Sequence, residues 1–221
     1  GKFVRPVAAM VDESFLLEPE DQPGHPDPHV WMDVKAWIAA TDAVAIALCQ
    51  ADPAGCETYR KNAAAYTVEL AELDAYVAAV IASIPKNQRV LVTAHDAFSY
   101  FGRAYGLEVM GIQGISTESE AGLADVSSLV VMLVNRRIPA VFVESSVPDK
   151  YVRALIEGAA AKGHTVVVGG ELFSDAMGRP GTWEGTYRGM IDHNVSTVAR
   201  ALGGDVPTNG FRGHTPNDAE H

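Results

Sequence analysis

From Tyr59 onward, Ala63, Tyr66, Leu70, Leu73, Val77, Val80 and Ile84 recur alternately four and three residues apart. That spacing draws one apolar stripe along a helix of about 28 residues, roughly 40 Å long at the α-helical rise. Pro85 ends it. Upstream, VWMDVKAWIAATDAVAIALCQ carries helical spacing of its own and stops at Asp52-Pro53.

Beyond Pro85 the pattern changes to short β-branched runs alternating with helical stretches. RVLVTA, LEVMGI, AVFVES and TVVVGG read as strands. Between and after them, AFSYFGRAY, GLADVSSLVVMLVNRR, PDKYVRALIEGAAAKG and TYRGMIDHNVSTVARAL read as helices. Such alternation predicts an α/β fold with a mainly parallel four-stranded sheet flanked by helices. No internal repeat is present. The tail after Leu202, GGDVPTNGFRGHTPNDAEH, is rich in Gly, Pro and polar residues and is expected to be loose.

The chain has 221 residues and is 48% hydrophobic, enough for a sizeable core. Its apolar runs are interrupted before the roughly 20 residues that span a bilayer, so no transmembrane helix is expected. The opening GKFVRPVAAMVDESF lacks the basic, apolar and small-residue regions of a signal peptide, so an exported protein would stand here in trimmed form. A formal charge of -11 without a Lys/Arg cluster argues against nucleic acid and anionic membrane surfaces as partners, and suits a protein that handles cations. Cys49 and Cys56 flank the turn QADPAG. A disulfide in an oxidising compartment and a pair of half-buried thiols are equal readings, and two cysteines alone do not make a structural zinc site.

Ligands of parallel α/β sheets bind at the carboxyl ends of the strands. Here those ends are polar: His95 and Asp96 after the first strand, Gln113, Glu118 and Glu120 after the second, Glu144 after the third, Glu171 and Asp175 after the fourth. Imidazole nitrogen and carboxylate oxygen on one rim suit a divalent metal ion. Plainer roles compete with this one. Asp96 precedes a helix and is expected to cap it, and Glu118 and Glu120 suit a helix N-terminus. His95 reads equally as a satisfied polar histidine, His164 and His193 as structural or solvated, and His214 and His221 as parts of the tail. GHPDPHVW, residues 24–31, is on its spacing a turn before a helix. Its prolines prevent His25 and His29 from sharing a helical face as in HExxH. GxGxxG after the first strand, the Walker loop and the G-x-S-x-G elbow are all missing, so nucleotide-binding and serine-hydrolase readings lose their support.

Three segments taken together, DPHVWMD, VTAHDAFSYFGRAYGLEVMGIQGISTESEAGLADV and VFVESSVPDKYV…GGELFSDAMGRPGTWEGTYRGMIDHNV, closely resemble the metal-binding solute-binding proteins of bacterial manganese and zinc ABC transporters, a family that includes adhesion-type lipoproteins. The resemblance runs to about residue 202. It implies a bilobed, non-catalytic receptor with a long bridging helix and a metal held in the cleft. On this chain it implies a remnant of an N-terminal lobe over 1–56, the spine helix over 57–85, a C-terminal α/β lobe over 86–202 and a flexible tail over 203–221, most of the N-terminal lobe being missing. The family's ligands match His29, His95 and Asp175, with a further histidine upstream of where this sequence starts. Asp27-Pro28 would then hold the turn and Trp31 anchor the helix after it, while His25 stays unassigned and Glu144 has at most a supporting part. The cargo implied is Mn2+ or Zn2+, the partner a membrane permease, and the location periplasmic or extracytoplasmic, membrane-associated in Gram-positive-type hosts. Self-association through surface left by the missing lobe is a further expectation. The alternatives are a truncated homologue with weak or no metal binding, and a metal-dependent hydrolase using an open coordination position.

Overall fold

The computed structural model describes residues 6–7, 12–19, 24–115 and 123–214. The chain divides into two compact units, 1–75 and 76–221.

In the first unit a 3-10 turn at Val30–Met32 leads into α1 (Val34–Ala51). Asp33 caps α1 by accepting the backbone N–H of Lys35 at 2.9 Å, relieving one of the donors that a helix start leaves unpaired. Pro53 starts the short 3-10 turn Pro53–Gly55 that reverses the chain, and α2 (Cys56–Ser83) begins at once. Asp52 in that turn accepts from the Tyr59 hydroxyl at 2.7 Å, and a Cys49–Cys56 disulfide links the two helices. Of the two readings of the cysteines, the bonded one is therefore the one observed. By length and composition α1 is apolar enough to cross a bilayer, which the interrupted runs had not suggested. It nonetheless carries exposed Asp42 near its middle, a residue that costs about 3 kcal/mol at a bilayer centre, and buries Val34, Ala36, Ala40, Ala43 and Ala45 in the fold. It leaves Val44, Ile46 and Leu48 exposed, and Val44 and Leu48 line an apolar groove of about 500 Å³ together with Trp37, Tyr59 and Tyr66 among others.

The expected long helix is one continuous element, α2, which passes from the first unit into the second at Ala75 and Tyr76. The second unit then alternates as its pattern implies: β1 (Val90–His95), α3 (Ser99–Tyr105), β2 (Glu108–Gln113), α4 (Leu123–Arg136), β3 (Ala140–Glu144), α5 (Lys150–Ala161), β4 (Val167–Leu172) and α6 (Tyr187–Ala201). All four strands run parallel, but as two hydrogen-bonded pairs, β1 with β2 and β3 with β4. β1 and β3 lie side by side without a shared ladder, so the expected four-stranded sheet is split down its middle. Where they end, the His95 N–H is taken by the Glu144 side chain and not by a neighbouring carbonyl. Every residue of β1 is buried, while Val167 and Val168 of β4 are exposed, as befits an inner and an outer strand. Val92, Ile112, Leu133, Ile138, Val141 and Leu155 are central to the core between sheet and helices. At about 25 cal/mol per Å² of apolar surface, each such side chain contributes roughly 1.5–3 kcal/mol.

Residues 203–214, expected to be loose, are anchored instead. Phe211 is buried with its N–H on Asp192, the Asp205 N–H reaches Ser83 Oγ at 2.7 Å, and the His214 ring stacks on Trp183 with centroids 3.9 Å apart. Phe211 and His214 carry no periodic signal in this Gly- and Pro-rich stretch, yet both find partners in the fold.

Candidate metal centre

Three of the parallel strands bring a polar residue to the carboxyl end of the sheet: His95 closes β1, Gln113 closes β2 and Glu144 closes β3. Asp175 lies three residues beyond β4. Gly111 permits this crowding, because a Cβ there would stand 2.6 Å from the Asp96 backbone nitrogen. The loop that carries Asp175 is fixed from behind. The Asn194 side chain pairs with both backbone groups of Phe173, at 2.9 and 2.7 Å, and Ser174 Oγ lies 2.7 Å from Ser146 Oγ.

Within this rim, His95 Nδ1 lies 2.7 Å from Glu144 Oε2, and His95 Nε2 lies 3.5 Å from Asp175 Oδ2. His95 and Glu144 have fully buried side chains; that of Asp175 is one-third exposed. Burial pulls the His95 pKa down, but the Glu144 hydrogen bond and charge, with the charges of Asp175 and Asp96, outweigh it and leave the ring above its ordinary value. The 3.5 Å separation is long for a direct hydrogen bond. Two ligand atoms about 2.1 Å from one tetrahedral ion stand roughly 3.4 Å apart, so the gap has the width of an ion edge.

His29 belongs to the first unit. Its backbone N–H donates to Asp27 Oδ1 at 2.9 Å, its Nδ1 lies 2.7 Å from the same oxygen, and Trp31 meets the ring edge-on with centroids 5.3 Å apart. Asp27 and His29 are both buried, whereas His25 is exposed.

The other candidates take plainer places. Asp96 Oδ1 accepts from the Ser99 hydroxyl at 2.7 Å, and the cap position of α3 that was expected of it falls on Phe98. His164 Nε2 is 2.8 Å from the Ile138 carbonyl oxygen, and His193 Nε2 is 2.9 Å from that of Glu171. Glu118, Glu120 and His221 lie outside the described residues. Sequence reasoning gave Asp27 only the turn. The signal was present: a carboxylate two residues before a histidine, across a proline, is placed to accept that histidine's N–H.

Parallel strands with an imidazole and a carboxylate facing each other at their carboxyl ends mark the second unit as an α/β unit with a candidate metal centre. The chain belongs to the family described as zinc-uptake complex component A, periplasmic, whose model matches residues 4–201. It is 52% identical over 176 residues to the manganese-binding lipoprotein MntA of Bacillus subtilis (strain 168), covering 80% of this chain and 58% of that protein. Identity is also 52% over 176 residues with the zinc-binding protein TroA of Treponema pallidum (strain Nichols), covering 80% and 57%. The solved structure of periplasmic zinc-binding TroA from Treponema pallidum matches with a TM-score of 0.84 at 48% identity, over 89% of this chain and 70% of that one. Fe(III)-bound YtgA from Chlamydia trachomatis matches at 0.79 and 30%, over 87% and 68%. The chain thus spans somewhat more than half the length of these curated relatives.

Proposed function

We propose that this chain captures a divalent transition metal, Mn2+ or Zn2+, as cargo for a bacterial ABC transporter, with His29, His95 and Asp175 as ligands. The observation that carries the reading is the 3.5 Å separation of His95 Nε2 and Asp175 Oδ2, with Glu144 behind the ring. His29 joins the set on its match to the family motif and on the Asp27 contact that leaves Nε2 as its donor atom. The relatives' descriptions as manganese-binding and zinc-binding support both metals. Two nitrogens favour zinc by intrinsic affinity, and a carboxylate keeps manganese in play.

The role is binding and release, not catalysis. A membrane permease receives the metal, and the protein works outside the cytoplasm, where the Cys49–Cys56 disulfide is stable. α2 acts as the spine on which the receptor is built. Self-association belongs to the same proposal, through the apolar groove between α1 and α2 filled by a second copy. Sedimentation of the metal-free chain tests this, and a monomer at high concentration refutes it.

The deciding experiment is calorimetric titration of the purified chain with Zn2+ and Mn2+, beside His29→Ala, His95→Ala and Asp175→Ala. One metal per chain is expected, with at least tenfold weaker binding in each variant. Variants that bind as well as the parent would overturn the assignment.

A further inference from the structure

Asp27 and Glu144 make the same two contacts with different histidines. Asp27 Oδ1 accepts the backbone N–H of His29 at 2.9 Å and lies 2.7 Å from its Nδ1. Glu144 divides the work: Oε1 accepts the backbone N–H of His95 at 2.8 Å, and Oε2 lies 2.7 Å from its Nδ1. All four residues are buried.

An ionised carboxylate only accepts hydrogen bonds, so each Nδ1 facing one carries a proton. The neutral ring then has its lone pair on Nε2, the nitrogen that in His95 faces Asp175. The second contact, to the histidine's own amide, ties the carboxylate to the backbone of the residue whose ring it holds and restrains the ring's rotation. We infer that Asp27 and Glu144 are positioning residues that commit His29 and His95 to the Nδ1–H tautomer and so to metal binding through Nε2. Each unit of the chain thereby carries an imidazole donor preset before metal arrives. The inference rests on the proposed reading of these histidines as ligands.

The two carboxylates differ in a way that can be tested. At position 144 one oxygen accepts the backbone N–H and the other lies 2.7 Å from Nδ1. Gln has only one acceptor oxygen, and the backbone N–H, which cannot change its proton, claims it. The Gln NH2 then faces Nδ1, which must accept, and the ring proton moves to Nε2 where it blocks the metal. At position 27 a single oxygen serves both donors, so Asn keeps both contacts and loses only the charge.

Long-range 1H–15N spectra of the metal-free protein, at a pH where the rings are neutral, read the tautomers directly. His29 and His95 are expected as Nδ1–H in the wild type and in Asp27→Asn, and His95 as Nε2–H in Glu144→Gln. Zn2+ affinity, measured by calorimetry, is expected to fall by about 10- to 100-fold in Glu144→Gln and by less in Asp27→Asn. A wild-type His95 found as Nε2–H, or a Glu144→Gln protein with unchanged tautomer and affinity, overturns the inference. The wild-type spectrum decides the tautomer even if a variant fails to fold. Correct tautomers in a wild type that takes up no zinc count instead against the metal reading.

Discussion

The indole N–H of Trp183 donates to Asp192 Oδ2 at 3.1 Å, inside a region where both residues are almost fully buried. The same oxygen accepts the backbone N–H of Phe211 at 3.1 Å, so one carboxylate on α6 holds both the turn before the helix and the segment after it. Asp192→Ala would leave two buried donors unpaired, each worth about 1–3 kcal/mol. Destabilisation of about 2–4 kcal/mol is expected in urea unfolding, with Trp183 fluorescence shifting red in the native baseline. Asp192→Asn, which retains an acceptor, is expected to lose less.

Tyr76 approaches this cluster from α2, its hydroxyl 3.5 Å from Ser196 Oγ and its ring 5.4 Å from that of Phe211. Burial pushes its pKa up from 10.0 to about 12, against the opposing effect of the Ser196 contact. A group raised on folding contributes stability that is full below its unfolded value and is lost as pH rises through the folded one. The loss therefore falls between pH 10 and 12. Allowing for solvent around a partly exposed ring, it amounts to about 1 kcal/mol. The difference in stability between wild type and Tyr76→Phe, followed by denaturant unfolding across that window, is expected to shrink by this amount.

Cys49 and Cys56 are seven residues apart and bonded to each other. For so short a loop the chain-entropy account gives about 2.4 kcal/mol. Paired Cys49→Ser and Cys56→Ser substitutions are expected to cost that much, and to raise hydrogen exchange first at the end of α1 and the start of α2. Alkylation of the native protein should label no thiol; labelling of both would contradict the bond.

A metal ion that binds only the folded chain would stabilise it by mass action, about 2.7 kcal/mol at a hundredfold excess over Kd. For a chain of this size that corresponds to a rise in Tm of roughly 5–10 °C. Scanning calorimetry with Zn2+ or Mn2+ is expected to show this rise in the wild type and to lose most of it in Asp175→Ala.

Much of the fold is legible along the chain because the forces that shape each element act locally. The 4-and-3 spacing from Tyr59 to Ile84 becomes the 28-residue α2, and all four expected strands and the helices between them appear within a few residues of their expected limits. The candidate centre is legible in part. His95, Glu144 and Asp175 each stand at or just past a strand's carboxyl end, and parallel strands deliver those ends to one rim; His29 stands out only through the family motif. The loop after β4 is different, since its position depends on Asn194, 21 residues away on α6.

By itself, the sequence determined the order of elements, the parallel class of the sheet and the pool of residues with metal-binding chemistry, since periodicity and residue type are local. Only the tertiary structure decided that Glu144 holds His95 across 49 residues of chain, that the sheet divides between β1 and β3, and that Phe211 and His214 anchor the segment after α6. Those outcomes depend on strand placement and on which buried donor meets which acceptor, and neither leaves a mark in spacing.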